Sequence, residues 1–486
     1  MSEPLPHRSA SGARQGGDDY QHLVAWNRIL RGLMSGRRME LVELEAVEAG
    51  NVDDVVIHYA DQPNEFAQVR YAVDGSSPLN SAYLTRRAAA HGTTMLQKFH
   101  ASWATLRRDD TPTLMLITNR LADSADPAFS VLDGRTELLV PALIRATPSS
   151  PLGQLRAQWA HHLECDDTEL ADLLSGIRFR LGRPYRAEEE LAEDLMSAAG
   201  LRSDPSAIRL GIDRVRRWVL EGNRRLTREA VVAGIDELDL ATGDPAAVLH
   251  VQALLRDPTA SEATEALDWV DLYVGDQPAE RRVATTSDAY QRVMQPQLDA
   301  AAGRLLAAGY GRVLVRGAMR LPAQFAVGAA LPKVRNVELV RRQGTEIWKT
   351  DTRSEPRPRL REATVVLGQG PDIAVVVGIT NDPTDDVVAF ARTARLPVDT
   401  VFVLEPSGDP ADDAVHGAGH AIGVVQAVRD AVRHMLRQHP DATVHLFLSC
   451  PGALAMFLGH RWNRVARTVI YEDLKSTYQA AFIVAA

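Results

Sequence analysis

Short, uninterrupted apolar runs in the C-terminal half constrain the fold of this chain more than any other feature. They are GRVLVRG, DIAVVVGIT, DTVFVLEP, ATVHLFLSC and RTVIYED, and helical stretches such as TDDVVAFARTAR and AIGVVQAVRDAVRHMLRQ lie between them. Runs of this length are typical of parallel strands that are covered on both faces. Their alternation with helices predicts doubly wound α/β units that meet near the stretch RPRLREATVV.

The local composition and the spacing of apolar residues predict four segments along the chain. Residues 1–17 are polar and rich in Gly and Ser, so we expect a disordered arm there. Residues 18–151 mix helices with strands, and the apolar spacing in YQHLVAWNRILRGLM predicts an amphipathic first helix. Residues 152–244 are helical and charged without a candidate strand, which predicts a helical connector. Residues 245–486 hold the α/β units, so the predicted fold class is α/β, with the helical connector between an N-terminal and a C-terminal α/β part.

The composition favours an ordinary globular protein. The chain has 486 residues, a net charge of -9 and an apolar fraction of 45%. This charge excludes a basic nucleic-acid coat but leaves room for a local basic groove. Cys165 and Cys450 form no disulfide pattern, and neither a signal peptide nor an apolar run long enough to span a bilayer is present. We therefore expect a cytoplasmic protein without membrane association.

Acidic and polar residues follow the first predicted strands in an ordered set. Glu45 closes one strand, Asp53 and Asp54 open the next, and Gln68 and Arg70 lie two apart on a third. Metal-dependent phosphodiester hydrolysis requires oxygen ligands for the metal and a cation near the developing charge. Each of these residues alone also suits a solvated strand edge, so the signal is the order of the whole set.

The surrounding stretches GGDDYQHLVAW, LEAVEAGNVDDVVI, FAQVRYAV and LQKFHASW resemble the PD-(D/E)xK nuclease domain fused to SAVED domains in cyclic-oligonucleotide antiphage (CBASS) systems. The resemblance implies a restriction-endonuclease-like fold for residues 18–151 and a site for Mg²⁺ or Mn²⁺ formed by Glu45, Asp54 and Gln68. Asp53 is the alternative to Asp54. Arg70 stands where the family has its catalytic lysine; arginine keeps the charge but does not release a proton. Cleavage survives at such a site if charge alone suffices, and is lost if the lysine acts on water.

The stretch VHLFLSCPGALAMFLGHRWNRVARTVIYED closely resembles the end of a SAVED domain. This resemblance implies two fused CARF-like, Rossmann-like units that bind one cyclic oligonucleotide. Backbone amides at a helix start after Ser449 would form an anion-binding nest, and Trp348 would stack on a base unless it packs in the core. The candidate ligand-binding residues are Arg320, Trp348, Lys349, Gly378, Thr380, Asn381, His420, Ser449, Pro451 and Ala453.

Together the resemblances imply an antiphage effector that cuts double-stranded DNA once a cyclic di-, tri- or tetranucleotide has driven it into a homo-oligomer. The first alternative is a receptor whose nuclease domain is inactive because of Arg70. The second is a nicotinamide oxidoreductase, which rests on the glycine run Gly417–Gly423. A dinucleotide fingerprint follows its strand directly, whereas an acidic loop intervenes here, so we expect a helix-start turn at this run.

Overall fold

The computed structural model of the protein describes residues 10–34, 37–46, 54–74, 77–87, 92–107, 112–134 and 136–485. The chain divides into two compact units, Met1–Pro245 and Ala246–Ala486. Within the ranges given above, no helix combines the length and the apolar character that a bilayer crossing requires.

A mixed six-stranded sheet lies at the centre of the N-terminal unit. Its strands are β1 (Met39–Leu44), β2 (Val55–Tyr59), β3 (Glu65–Arg70), β4 (Thr113–Thr118), β5 (Ile177–Arg180) and β6 (Arg225–Thr227). Their order across the sheet is β5-β4-β3-β2-β1-β6. The pairs β3–β4 and β4–β5 are parallel, whereas β1–β2, β2–β3 and β1–β6 are antiparallel.

Helices surround this sheet, and the first one carries much of the core. The helices are α1 (Ala10–Leu33), α2 (Ser81–Thr85), α3 (Met95–Leu106), α4 (Val140–Arg145), α5 (Pro151–Leu163), α6 (Asp167–Ser175), α7 (Tyr185–Ala198), α8 (Pro205–Leu220) and α9 (Arg228–Asp236). The apolar face predicted for α1 is confirmed, since Leu23, Trp26 and Ile29 are fully buried. On the same helix the buried Asn27 donates a hydrogen bond to Oε2 of Glu188 at 2.8 Å, which ties α1 to α7.

Two predictions about this unit are wrong. The stretch predicted as a strand-free connector supplies β5 and β6 to the sheet, and its helices α7 and α8 pack against α1. The two strands were missed because IRFR and RLT are too short to show an alternating pattern among charged helices. The prediction of a disordered arm is also wrong for residues 10–17, because α1 already begins at Ala10; residues 1–9 lie outside the described ranges.

The C-terminal unit contains two further sheets. Their strands are β7 (Ala247–Gln252), β8 (Glu265–Asp268), β9 (Arg312–Arg316), β10 (Glu338–Gln343), β11 (Glu346–Lys349), β12 (Leu360–Val366), β13 (Asp372–Gly378), β14 (Val398–Pro406), β15 (Val444–Ser449), β16 (Thr468–Asp473) and β17 (Tyr478–Val484). The first sheet has the order β11-β10-β9-β7-β8, and the second has the order β12-β14-β13-β15-β16-β17. The helices are α10 (Gln295–Ala307), α11 (Leu321–Ala330), α12 (Thr384–Thr393), α13 (Ala418–Leu436) and α14 (Gly452–His460). The central strands of each sheet are parallel, so the predicted α/β architecture is confirmed.

The helices α11 and α14 join the two halves of this unit through two glycines. A Cβ atom at Gly328 of α11 would lie 2.0 Å from the carbonyl oxygen of Met456, and one at Gly459 of α14 would lie 2.0 Å from that of Phe325. The two backbones therefore touch directly, which only glycine permits. The start of α14 also lies close to α11, because a Cβ atom at Gly452 would lie 2.3 Å from the side-chain nitrogen of Gln324.

Candidate functional site

The candidate nuclease site lies where β2 begins beside β3. Asp54 immediately precedes β2, and its Oδ2 accepts hydrogen bonds from the side-chain amide of Gln68 and from the backbone N–H of Val69, the latter at 2.6 Å. Arg70 Nη1 lies 3.5 Å from the same oxygen and donates to the carbonyl oxygen of Val69 at 3.0 Å. Glu45 is adjacent, since its backbone N–H donates to the carbonyl oxygen of Asp54 at 3.1 Å. The fold thus brings the four predicted residues together.

The charges of this site are already balanced by the protein itself. Oδ2 of Asp54 takes two N–H donors and faces the Arg70 guanidinium, while the Glu45 carboxylate pairs with Arg224 at 2.9 Å. Gln68 directs its N–H group at Asp54, although a metal would require its oxygen. As arranged, these residues do not fit a Mg²⁺ or Mn²⁺ ion. Over the described part of the chain, no group of at least three His, Cys, Asp or Glu side chains is placed to hold a metal; Asp53 lies outside that part.

A second candidate site is a cleft in the C-terminal unit with a volume of about 210 Å³. It lies at the carboxyl ends of β13, β15 and β16 and beside the start of α11, which is where α/β folds bind ligands. Its lining residues are Arg282, Arg320, Leu321, Pro322, Thr380, Asn381, Pro383, Phe447, Leu448, Ser449, Cys450, Tyr471, Glu472, Asp473 and Tyr478.

Three hydroxyl and amide groups form the polar floor of the cleft. The hydroxyls of Thr380 and Ser449 are 2.8 Å apart, and the Ser449 hydroxyl donates to the side-chain oxygen of Asn381. The loop after β13 is held in place because the backbone N–H groups of Ile379 and Thr380 both donate to the carbonyl oxygen of Ser449, at 2.7 and 3.0 Å. These three side chains, together with Arg320, are the predicted ligand-binding residues that line the cleft.

Two arginines supply positive charge to the cleft. The Nε and Nη2 groups of Arg320 donate to the carbonyl oxygen of Arg281, at 3.1 and 3.0 Å, so among the described residues most of its five N–H donors have no acceptor. Arg282 donates from Nη1 to the carbonyl oxygen of Asp473 at 3.1 Å. Its buried Nε has no hydrogen-bond partner in the described structure. Two guanidinium groups in one cleft suit a phosphate ligand.

Glu472 adds a buried acid to the same cleft. Its exposed fraction is 3%, and its buried Oε2 atom has no hydrogen-bond partner among the described residues. Burial raises the pKa of its carboxyl to about 8, although Arg320 and Arg282 act in the opposite direction. Sequence reasoning missed both Glu472 and Arg282. Glu472 could have been found from the sequence, because it follows Tyr471 at the end of a predicted strand. Arg282 could not, because it lies in a loop that no sequence pattern marks.

The other predicted ligand residues lie outside the lining of the cleft. Trp348 has an exposed fraction of 4%, packs near Phe457 and donates from Nε1 to Glu346 at 3.0 Å, so its predicted stacking role is wrong and core packing is what the structure shows. Lys349 ends the edge strand β11. His420 in α13 stacks on His416, which precedes the helix, with ring centroids 4.2 Å apart.

The predicted phosphate nest at the start of α14 is partly occupied. The backbone N–H of Ala453 donates to Oε1 of Gln343 at 2.9 Å, so this amide is engaged. Pro451 precedes the helix and has no N–H to offer. Gly378 ends β13 next to the loop of Asn381 and contributes its backbone only.

The glycine run that suggested a dinucleotide site has a packing role. Gly417 is the N-cap residue of α13, which agrees with the predicted helix-start turn. A Cβ atom at Gly419 would lie 2.9 Å from the carbonyl oxygen of Arg353, and one at Gly423 would lie 3.2 Å from that of Glu355. Because these glycines have no side chain, the segment before β12 can lie close to α13.

Comparison with known proteins addresses the C-terminal unit most directly. Residues 294–484 match the SAVED family, described as "SMODS-associated and fused to various effectors sensor domain". The match covers the second sheet and much of the first, and it confirms the SAVED resemblance for those residues.

A curated relative extends over more of the chain. It is CD-NTase-associated protein 4 of Enterobacter hormaechei subsp. hoffmannii (strain UCI 50), which is 23% identical over 379 residues, or 74% of this chain and 73% of the relative. Solved structures are more distant in sequence. An Acinetobacter baumannii Cap4 SAVED/CARF-domain containing receptor with the cyclic trinucleotide 2'3'3'-cAAA is 14% identical at a TM-score of 0.46, covering 99% of this chain and 100% of that one. A Moraxella osloensis Cap4 receptor is 14% identical at a TM-score of 0.44, covering 97% and 100%. None of these names describes a nuclease, so the nuclease resemblance of the N-terminal unit stays a prediction.

Proposed function

We propose that this protein is the cyclic-oligonucleotide receptor of an antiphage (CBASS) system and binds its ligand in the cleft of the C-terminal unit. The SAVED match at residues 294–484 supports this proposal, as does the relative named for its association with a CD-NTase. The observation that carries it is the pair Arg282 and Arg320 beside the hydroxyl and amide floor of Thr380, Asn381 and Ser449. Guanidinium groups bind phosphates, and hydroxyl and amide groups fix the orientation of a sugar or base.

Binding of a cyclic oligonucleotide tests this function directly. The full chain is titrated calorimetrically with cyclic di-, tri- and tetranucleotides, beside the variants Arg320→Ala and Arg292→Ala. Arg292 is the matched control because it is an exposed arginine paired with Asp288 on the surface, outside the cleft lining. We expect at least one ligand to bind, Arg320→Ala to weaken it tenfold or more, and Arg292→Ala to leave it unchanged. If the two variants bind the ligand with equal affinity, the ligand does not bind in this cleft.

The N-terminal unit favours a second function in the same protein, a DNA endonuclease. Its support is the gathering of Asp54, Gln68 and Arg70 at adjoining strand ends, in the order that the nuclease resemblance implies. The Arg70 guanidinium beside Asp54 opposes cleavage, because it holds the carboxylate that a metal would need. We therefore infer a receptor whose nuclease site is silent as long as this ion pair persists. The homo-oligomer and the double-stranded DNA substrate belong to this second function.

Plasmid cleavage distinguishes the two states of the nuclease site. Supercoiled DNA is incubated with Mg²⁺ and with the ligand that the titration identifies, using the unchanged chain, Arg70→Lys and Asp54→Ala. Cleavage by the unchanged chain that Asp54→Ala abolishes would establish the endonuclease. Cleavage by Arg70→Lys alone would show that Arg70 silences the site. If neither the unchanged chain nor Arg70→Lys cuts the plasmid although both bind the ligand, the protein is a receptor only.

A further inference from the structure

Four half-buried basic side chains form a cluster in the C-terminal unit, at the amino ends of the strands, whereas the cleft lies at the carboxyl ends. This basic cluster consists of Lys349 at the end of β11, Arg429 and Arg433 one turn apart on α13, and Arg461 at the end of α14. Lys349 ended up outside the cleft lining, although the sequence predicted a ligand contact for it. Within the part of the chain that the structure describes, none of the four has a carboxylate at ion-pair distance.

Hydrogen bonds to backbone carbonyl groups hold the basic cluster together. Nη2 of Arg433 donates to two carbonyl oxygens of the loop 463–464, at 3.3 and 3.2 Å. Nη2 of Arg461, which lies just before this loop, donates to the carbonyl oxygen of Thr350 at 3.5 Å, next to Lys349. The cations therefore come from three segments that contact one another, and backbone acceptors fix their positions where acids would otherwise do so.

The protein leaves much of this positive charge unbalanced. Nε of Arg429 and Nε of Arg461 are buried and have no hydrogen-bond partner among the described residues. Burial and the neighbouring charges of Arg433 and Arg461 lower the pKa of Arg429, and burial lowers the pKa of Lys349. The nearby acids are engaged with other cations: the pairs are Asp351 with Arg312, Glu338 with Lys333, and Asp430 with Arg357.

Helix ends account for only part of the basic cluster. The last carbonyl groups of a helix carry about half a negative elementary charge, which favours cations within the last turn. This effect suits Arg433, in the last turn of α13, and Arg461, at the end of α14. It does not reach Arg429, which lies about two turns before the end of α13, or Lys349, which lies on a strand.

We infer that the basic cluster binds the phosphate backbone of DNA. Guanidinium groups form strong, bidentate hydrogen bonds with phosphate oxygens, and such an acceptor would satisfy the two buried Nε groups. Arg429 and Arg433 are about 6 Å apart along the helix axis, so they can contact neighbouring phosphates. The chain has a net charge of -9, so its attraction for DNA requires a local surface of this kind.

The surroundings of the basic cluster favour DNA over a protein partner. Protein interfaces centre on buried apolar side chains with the charged residues at the rim. In the segments 333–350, 429–437 and 461–467, Val334 is the one large apolar side chain that is exposed. The inference concerns a surface outside the cleft, and it requires neither the receptor function nor an active nuclease site.

Fluorescence anisotropy of labelled duplex DNA tests the inference. The full chain is titrated into two duplexes of unrelated sequence, with EDTA to prevent cleavage, at salt concentrations from about 50 to 200 mM. The variants are Arg429→Gln, Arg461→Gln and Lys349→Gln, which change three different segments, and guanidinium denaturation checks that each is folded. Arg304→Gln is the control, because it also removes one positive charge from the unit. Arg304 pairs with Glu265 of β8, at the opposite edge of the sheet from β11.

We expect each of the three variants to weaken binding of both duplexes equally, by about three- to tenfold, and to reduce the slope of log affinity against log salt by about one. Arg304→Gln should bind DNA within about twofold of the unchanged chain. A salt slope that none of the three variants changes, or an unchanged chain that binds no DNA at about 50 mM salt, would overturn the inference.

Two further measurements separate this inference from the alternatives. Sedimentation velocity compares the self-association of the same variants; if they lose self-association and keep their DNA affinity, the cluster binds a second copy of the chain and the inference is wrong. Titration with the cyclic oligonucleotides should give the same affinity for the three variants as for the unchanged chain. If the unchanged chain binds DNA through this cluster but binds no cyclic oligonucleotide, the receptor proposal fails and this inference stands.

Discussion

The glycine contact between α11 and α14 allows a quantitative prediction for Gly328→Ala. The added methyl would lie 2.0 Å from the carbonyl oxygen of Met456 and 2.7 Å from the backbone nitrogen of His460. Both are backbone atoms that no rotamer change can move, so the helices must separate. Overpacking of this kind costs about 1–3 kcal/mol, and the better helix propensity of Ala returns about 1 kcal/mol at most. We expect the free energy of unfolding of the C-terminal unit to fall by about 1–2 kcal/mol.

The measurement is guanidinium denaturation of the full chain, followed through the transition of the C-terminal unit, together with ligand titration. Gly303→Ala is the matched control, because Gly303 lies inside α10 and no atom lies within 4 Å of an added Cβ. The control should be unchanged or up to about 1 kcal/mol more stable. Ligand affinity should also fall in Gly328→Ala, since α11 carries Arg320 at its start. Equal stability of Gly328→Ala and Gly303→Ala would refute the backbone contact on which the reasoning depends.

Three further predictions concern other parts of the molecule. Arg70→Ala should raise Mn²⁺ affinity at Asp54 by no more than about fivefold, measured by electron paramagnetic resonance, because a partly exposed ion pair contributes about 0–1 kcal/mol; an affinity that does not rise would contradict the role given to Arg70. Burial lowers the pKa of His460 and of His250 to about 4, so both stay neutral in the folded unit while the unfolded chain protonates them below its pKa near 6.5. The stability that these two histidines contribute should therefore be complete above about pH 6.5 and fall as the pH drops towards 4, by roughly 1.4 kcal/mol per pH unit and histidine. Glu472 acts in the opposite sense between its ordinary pKa near 4.5 and about 8, so the measurement is the comparison of thermal melts of the unchanged chain and His460→Gln, whose stability should fall less steeply as the pH drops across that range. Thr94→Ala should destabilise the N-terminal unit by about 1 kcal/mol in urea denaturation through loss of the capping box of α3, whereas Thr94→Ser should not.

The sequence predicted the parallel strands of the C-terminal unit because they are buried on both faces and therefore consist of continuous apolar residues. Strands with polar positions escaped this pattern. In β7, for example, His250 and Gln252 are buried although both are polar. The short β5 and β6 escaped because the sheet, and not their own sequence, determines their conformation.

The residues of the candidate sites also differ in whether the sequence alone could predict them. Thr380, Asn381 and Ser449 could be predicted because each lies at or just after the end of a parallel strand, where the topology brings chain segments together. Arg282 could not, because only the tertiary fold brings its loop to the cleft. Trp348 was misplaced because its polar neighbours suggested exposure, whereas its ring packs against α14 from an edge strand.

The two sites differ in how the protein satisfies their polar atoms, and this difference bears on function. At the N-terminal site the described carboxylates have partners within the chain: Asp54 has Arg70 and two N–H donors, and Glu45 has Arg224. At the cleft, within the structure described, Oε2 of Glu472 and Nε of Arg282 are buried without partners. Each such atom destabilises the fold by about 1–3 kcal/mol, which a ligand that bonds to it recovers as binding free energy. These unpaired atoms support the proposed ligand site at the cleft, whereas the ion pair between Asp54 and Arg70 opposes entry of a metal at the N-terminal site.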